Sequence, residues 1–202
     1  MRILTLFVFI FVSFQLPLFG IEDIERKILS TNRKNFVFIR SSNEKKSEYK
    51  VYVFNSLLKK NNHLLDTYIR FSLDDFFKRI RWYNDDLVEI NVTTGSPGNF
   101  SIFYSIKKNK KSDIIYFPLA IDSKDYLILV GQENAFISHI FEPSNEYILN
   151  ENFADTAIVW LLFDKKGTYF DIEGNLHLSF TDRENTRIKK VIKKSTILEK
   201  VK

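Results

Sequence analysis

From Leu87 onward the chain alternates. Val88, Ile90 and Val92 interleave with Leu87, Glu89 and Asn91, and Phe100, Ile102, Tyr104 and Ile106 interleave with Ser101, Phe103, Ser105 and Lys107. A period of two puts successive side chains on opposite sides of an extended chain, so the pattern predicts strands. The run Thr94-Gly95-Ser96-Pro97-Gly98 between them has the composition of a turn. Residues 35–40 and 49–54, rich in β-branched and aromatic side chains, predict two more strands, paired as a hairpin across a charged turn at 43–47. Residues 114–121 and 126–130 predict another pair, joined by Asp122-Ser123-Lys124-Asp125, and 137–141 a short strand broken by Pro143. After Thr156 the run to Phe163 is wholly apolar, as expected of a strand covered on both faces. Asp164-Lys165-Lys166-Gly167 and Glu173-Gly174-Asn175 mark the corners of a meander through 168–172 and 176–180.

Three stretches carry helical spacing instead. Ile21, Ile24, Ile28 and Leu29, with acids at the start, predict a short N-terminal helix. Ser72 followed by Asp74 and Asp75 predicts a capped internal helix to about Trp82, with Leu73, Phe76, Phe77 and Ile80 on one stripe. Thr181 and Glu184 form a capping-box pattern ahead of a basic amphipathic helix over 183–202, striped by Ile188, Val191, Ile192, Leu198 and Val201. Residues 55–66 fit either a helix or a loop.

The connections between strands are too short for crossover helices, so pairing is antiparallel. The expected class is mostly β (α+β): an antiparallel sandwich or partly open barrel with peripheral helices. No repeat of fixed period is visible, which argues against a solenoid or propeller.

The opening differs from everything after it. Met1 and Arg2 precede an uncharged run from Ile3 to Phe19, closed by Gly20 and followed at once by Glu22 and Asp23. These are the parts of an export signal, cleaved after Gly20. An uncleaved membrane anchor competes with that reading, although the run sits at the lower length limit and holds Ser13, Gln15 and Pro17. The expected organisation is therefore a signal at 1–20, one β-rich domain at 21–182 and the basic helix at 183–202.

The chain has 202 residues and no cysteine. That excludes disulfides, thiolate metal sites, a cysteine nucleophile and a lipidated cysteine. Export without cysteine suits a bacterial envelope better than an animal extracellular space, and in that compartment the sequons Asn91-Val92-Thr93 and Asn99-Phe100-Ser101 carry no meaning. The net charge is +5, but eight basic residues against two acids fall after Thr181 and Asp182, leaving the domain slightly acidic. The basicity belongs to the tail and gives no argument for nucleic acid.

Candidate chemistry is sparse. His63, His139 and His177 lie in separate segments with no metal-ligating spacing. Gly95-Ser96-Pro97-Gly98 is a turn, not a nucleophile elbow. Asp74-Asp75 and Asp85-Asp86 are paired carboxylates, read as a helix start and a loop. The Asp- and Gly-bearing segments at 164–167 and 171–175 read as hairpin corners, since neither fits a calcium loop. No catalytic residue, metal or cofactor is assigned.

Two candidate binding features remain. Lys189, Lys190, Lys193 and Lys194 flank the stripe of the C-terminal helix and suit an anionic membrane surface, an acidic partner or an anionic envelope polymer. Trp82 and Tyr83 follow an aromatic helix and suit a groove, although a phenylalanine-rich core explains such residues equally. The expectation is an exported binding or scaffolding module without catalytic activity, holding an envelope protein or anionic envelope component. A hydrolase assembled from distant residues and a small outer-membrane barrel are the alternatives.

Overall fold

The computed structural model describes residues 24–41, 48–68, 73–95, 98–154 and 159–201. The hydrophobic opening lies outside them, and among the described residues no helix is long and apolar enough to cross a membrane. The fold is mostly β, with antiparallel pairing throughout the described strands.

Four sheets follow one another along the chain, each built from consecutive strands. The first contains β1 (Ile24–Leu29), β2 (Phe36–Ser41), β3 (Glu48–Asn55) and β4 (Lys60–Tyr68). A short helix, α1 (Leu73–Phe77), leads into the second: β5 (Ile80–Trp82), β6 (Leu87–Gly95), β7 (Gly98–Ser105) and β8 (Lys110–Lys111), with β9 (Ile115–Tyr116) also paired to β7. The third holds β10 (Pro118–Asp122), β11 (Leu127–Gly131), β12 (Ala135–His139) and β13 (Tyr147–Ile148). A 3-10 helix, Val159–Leu162, precedes the fourth: β14 (Tyr169–Phe170), β15 (Leu176–Thr181) and β16 (Arg187–Ile192). Helix α2 (Lys194–Lys200) ends the described chain.

The period of two explains how the sheets stack. On β6, β7 and the residue that follows β7, Val88, Ile90, Tyr104 and Ile106 pack with Val37, Ile39, Val51 and Val53 of the first sheet. Leu87 and Phe103, one residue out of phase, pack instead with Ile128 and Val130 of the third sheet and with Ile140. On β11 the same switch recurs, because Leu127 and Leu129 turn to Leu176, Leu178 and Phe180 of the fourth sheet. Middle sheets are thus buried on both faces, and the sheets succeed one another in chain order. The repetition lies in the meander, not in any repeated sequence. Conserving a supersecondary unit requires only alternation and turns, which different residues supply each time.

Several elements differ from their sequence patterns. Residues 24–29 form a strand, not a helix, pairing with β2 across an irregularity between Ile24 and Lys27. Its spacing of three and four reflects that irregularity, and Ile28 packs on the first core while Leu29 stays exposed. The internal helix stops at Phe77, because Ile80, Arg81 and Trp82 pair with Ile90, Glu89 and Val88. Residues 55–60 are a hairpin turn in which the Asn55 side chain accepts from the amides of Leu57 and Leu58.

In the apolar run before Phe163, residues 156–158 lie outside the described residues and Val159–Leu162 do not form a strand. Its described part is the 3-10 helix, with Leu161 exposed, and only Phe163 bridges to Phe180. The C-terminal helix is present as α2 (Lys194–Lys200) but is shorter than its sequence pattern, because the residues before it pair with β15. Residues 187–192 are a strand, and the capping-box pattern is a hairpin turn: the Asp182 carboxylate accepts from the amides of Glu184 and Thr186, and Asn185 adopts φ 60°. An aspartate that caps a turn competes directly with helix initiation. Ile192, Ile197 and Val201 lie in the core shared by the third and fourth sheets.

Candidate functional site

The four lysines named from sequence are dispersed by this change. On β16 the alternation turns Ile188 and Ile192 to the core, whereas Arg187, Lys189 and Val191 point outward opposite Thr181, Ser179 and His177. Lys190 lies on the core side at the sheet edge, where its ammonium reaches Glu151 at 2.6 Å. Lys193 is the residue ahead of α2, extended at φ −68°, ψ 143°. Lys194 pairs with Asp125, and that hydrogen bond raises its pKa against the opposing effect of desolvation. The apolar residues of α2 are in the core, so the seven-residue helix presents no lipid-facing stripe.

A depression of about 510 Å³ opens on the outer face of the fourth sheet, lined among others by Asp164, Tyr169, His177, Lys189 and Val191. Tyr169 stacks on His177 with centroids 4.7 Å apart and planes 3° apart. His177 in turn contacts Asp171 at 3.0 Å. Partial desolvation alone would raise the Asp171 carboxyl, but hydrogen bonds from the Asn175 side chain, His177 and the Asn175 amide hold it at about 2. Arg187 pairs with Asp164, whereas Lys189 has no carboxylate partner among the described residues.

The aromatic pair divides. Trp82 packs against the core between the first and second sheets and donates its indole N–H to the Ile28 carbonyl at 3.2 Å. Tyr83, one residue on, faces the other way into a cleft of about 630 Å³ where β5, β10 and β14 converge. Its hydroxyl donates to Glu89 at 2.7 Å, and the other Glu89 oxygen accepts from Ser101 at 2.5 Å. Burial and then the Glu89 charge push the phenol far above its ordinary pKa, so it remains a donor. Arg81 lies over the Tyr83 ring at 4.6 Å. Arg79, Arg81 and Lys165 also line this cleft, and the sequence reading missed all three. The cue was present in Lys78-Arg79-Ile80-Arg81, but as a helix those cations point in different directions; only as a strand do Arg79 and Arg81 share a face.

A third depression, about 530 Å³, contains Asn32, Lys34, Asn84, Asp86, Lys107 and Tyr126. The Asp85-Asp86 pair separates here. Asp85 is exposed and accepts from the Asn32 amide at 2.6 Å. Asp86 is buried, and its carboxylate accepts from Ser105 at 2.9 Å, from the Lys107 amide at 2.7 Å and from the Tyr126 hydroxyl. Those donors tie the 105–107 and 126 segments to one carboxylate. Asp74 and Asp75 sit on α1, where Asp75 pairs with Lys78 at 3.0 Å.

The histidines fall on three different sheets: His63 on β4 beside Asp66, His139 on β12, His177 on β15. None of the three depressions is lined by more than one of them. Among the described residues no three His, Asp or Glu side chains group as metal ligands. Away from the second sheet, the first carries a stacked aromatic row. Phe36 lies 4.9 Å from Phe54 and Phe38 lies 5.3 Å from Tyr52, with Lys27 and Arg40 above the rings.

No protein-family description matches this sequence, and no curated protein matches it. Among solved structures, the chain is similar to the β-propeller domain of the trilobed protease from Pyrococcus furiosus, with a TM-score of 0.42 and 13% identity over 83% of this chain and 54% of that one. It is also similar to an uncharacterised protein of Listeria monocytogenes EGD-e, with a TM-score of 0.28 and 14% identity over 82% of this chain and 54% of that one. The chain spans about half the length of each. At these scores neither carries an argument about function.

Proposed function

We propose that this chain is an exported, non-catalytic binding module of the bacterial cell envelope that holds an envelope protein or an anionic envelope component against the outer face of its fourth sheet. The observation that carries the reading is that face. Lys189, Val191, Tyr169 and the His177 ring share one concave surface, and the exposed Val191 and Tyr169 add apolar area beside an ammonium that has no carboxylate partner among the described residues. A sheet face with alternate apolar and cationic positions suits an extended, negatively charged partner. The apolar side chains of α2 are already in the core, so the contact is assigned to the sheet and not to the helix. Export rests on the hydrophobic opening with its positive start and small final residue.

The test is sedimentation of the purified protein with isolated bacterial envelopes, comparing the native chain with Lys189→Glu and Val191→Asp. Co-sedimentation that falls several-fold in both variants, and falls with salt, supports the reading. No sedimentation, or sedimentation indifferent to both changes, overturns it. Mass analysis of the protein recovered outside the cytoplasm checks the address separately, since cleavage leaves Ile21 as the first residue.

A further inference from the structure

The cleft between β5, β10 and β14 concentrates cations that no carboxylate among the described residues pairs with. Arg79 and Arg81 are two residues apart at the sheet edge. The Arg79 carbonyl accepts the Asn91 amide at 3.0 Å, so Arg79 continues the ladder in which Arg81 pairs with Glu89. Along such a ladder two residues span about 7 Å and return to the same face. Both guanidinium groups therefore border the same space, which Lys165 also lines, its ammonium 4.3 Å from the centre of the Trp160 ring.

Among the described residues, Arg79, Arg81 and Lys165 have no carboxylate within ion-pair distance. The other cation at the rim, Lys78, is matched by Asp75. Glu89 is the one acid lining the cleft, and its two oxygens are occupied by Tyr83 and Ser101. Counting three unmatched cations against Glu89 leaves the cleft at +2. Leu119, Ile121 and Phe170 add apolar side chains to its lining.

We propose that this cleft binds a phosphomonoester, with the dianionic phosphate bracketed by Arg79, Arg81 and Lys165 and the organic body lying on Leu119 and Phe170. The charge of the phosphate balances that of the cleft. Guanidinium groups match phosphate geometry through paired N–H donors, and on an edge strand their spacing is fixed by the backbone. Tyr83 keeps the Glu89 carboxylate engaged and away from the ligand. This site shares no cation with the fourth-sheet face around Lys189, so either assignment can fail alone.

The experiment is calorimetric titration of the full chain with phenyl phosphate, inorganic phosphate and benzoate. Phenyl phosphate is expected to bind saturably at one site, more tightly than inorganic phosphate, which lacks the apolar body, and at least about tenfold more tightly than benzoate, which carries half the charge. Arg79→Gln and Arg81→Gln should each weaken phenyl phosphate by about tenfold or more, the loss of one charge-assisted hydrogen bond, while Lys200→Gln, at an exposed position of α2, leaves it unchanged. Lys165→Gln, at an exposed turn, gives an independent loss if an arginine variant loses its native circular dichroism. Absence of saturable phenyl phosphate binding overturns the proposal. So does unchanged binding in the folded variants, or benzoate binding as tightly as phenyl phosphate.

Discussion

Along β11, consecutive residues belong to different cores, and this makes an alanine pair decisive. Ile128 faces the second sheet and is 1% exposed, whereas Leu129 faces the fourth and is 0% exposed. Truncating either to alanine removes three buried carbons, about 2.4 kcal/mol of transfer free energy at about 0.8 per methylene. A residual cavity adds about 24 cal/mol for each Å³ that does not collapse, which brings the expected loss to about 2.5–5 kcal/mol at each position. For a domain of this size each kcal/mol lowers Tm by about 2–4 °C, so each variant should melt about 5–20 °C below the parent. Val191→Ala, on the outer face of β16 at 54% exposure, is the control and should cost below about 1 kcal/mol. Urea titration followed by circular dichroism reads all three. A sheet covered on one side only would make one of the two β11 changes cheap. If either Ile128→Ala or Leu129→Ala costs less than about 1 kcal/mol, the stacking described above is wrong.

Other outcomes follow from single contacts. A Cβ at Gly131 would lie 2.9 Å from the Trp160 Cα and 2.8 Å from a Leu119 methyl, so Gly131→Ala should destabilise by about 1–3 kcal/mol in the same urea assay; a neutral result would mean that the 3-10 helix does not lie against β11. Asp86→Ala leaves the Lys107 amide and the Ser105 and Tyr126 hydroxyls without their acceptor, at an expected cost of about 2–4 kcal/mol, and Asp86→Asn should recover part of it. Because the Asp171 carboxyl is held at about 2 in the fold against about 3.9 in an unfolded chain, its contribution is fully present above pH 4 and disappears as the pH falls through 2. The stability difference between the native chain and Asp171→Asn should therefore shrink across that interval. A difference constant from pH 6 to pH 2 would remove the carboxylate from the account.

Legibility in the sequence tracked whether a signal was local. The strands β2, β3, β6, β7 and β15 coincide with runs of period two or of β-branched and aromatic residues, and the hairpin turns coincide with Asn, Asp and Gly clusters. Ile24, Ile28 and Leu29 misled because an irregular edge strand loses its alternation, so a spacing of four emerges from extended backbone. Thr181 and Glu184 misled because Asp182 between them makes a better turn than a helix start once β16 has β15 to pair with. Of the binding residues, Lys189, Lys190 and Tyr83 do line depressions, but Arg79, Arg81 and Lys165 carried no local signal of a shared site, since their common space exists only when three sheet edges meet.

Local chain chemistry therefore determined the class: alternating side chains and short polar turns leave consecutive strands little choice but antiparallel meanders. It also determined that no thiol chemistry is available and that the first twenty residues differ in kind from the rest. What only tertiary structure decided is which face of each strand meets which neighbour. A period of two says that a residue has two sides and is silent on what covers them. Stacking made Leu87 and Val88 members of different cores, and the same stacking brought cations from residues 79, 81 and 165 to one cleft. Such placement depends on contacts between segments far apart in the chain, and no window of sequence contains them.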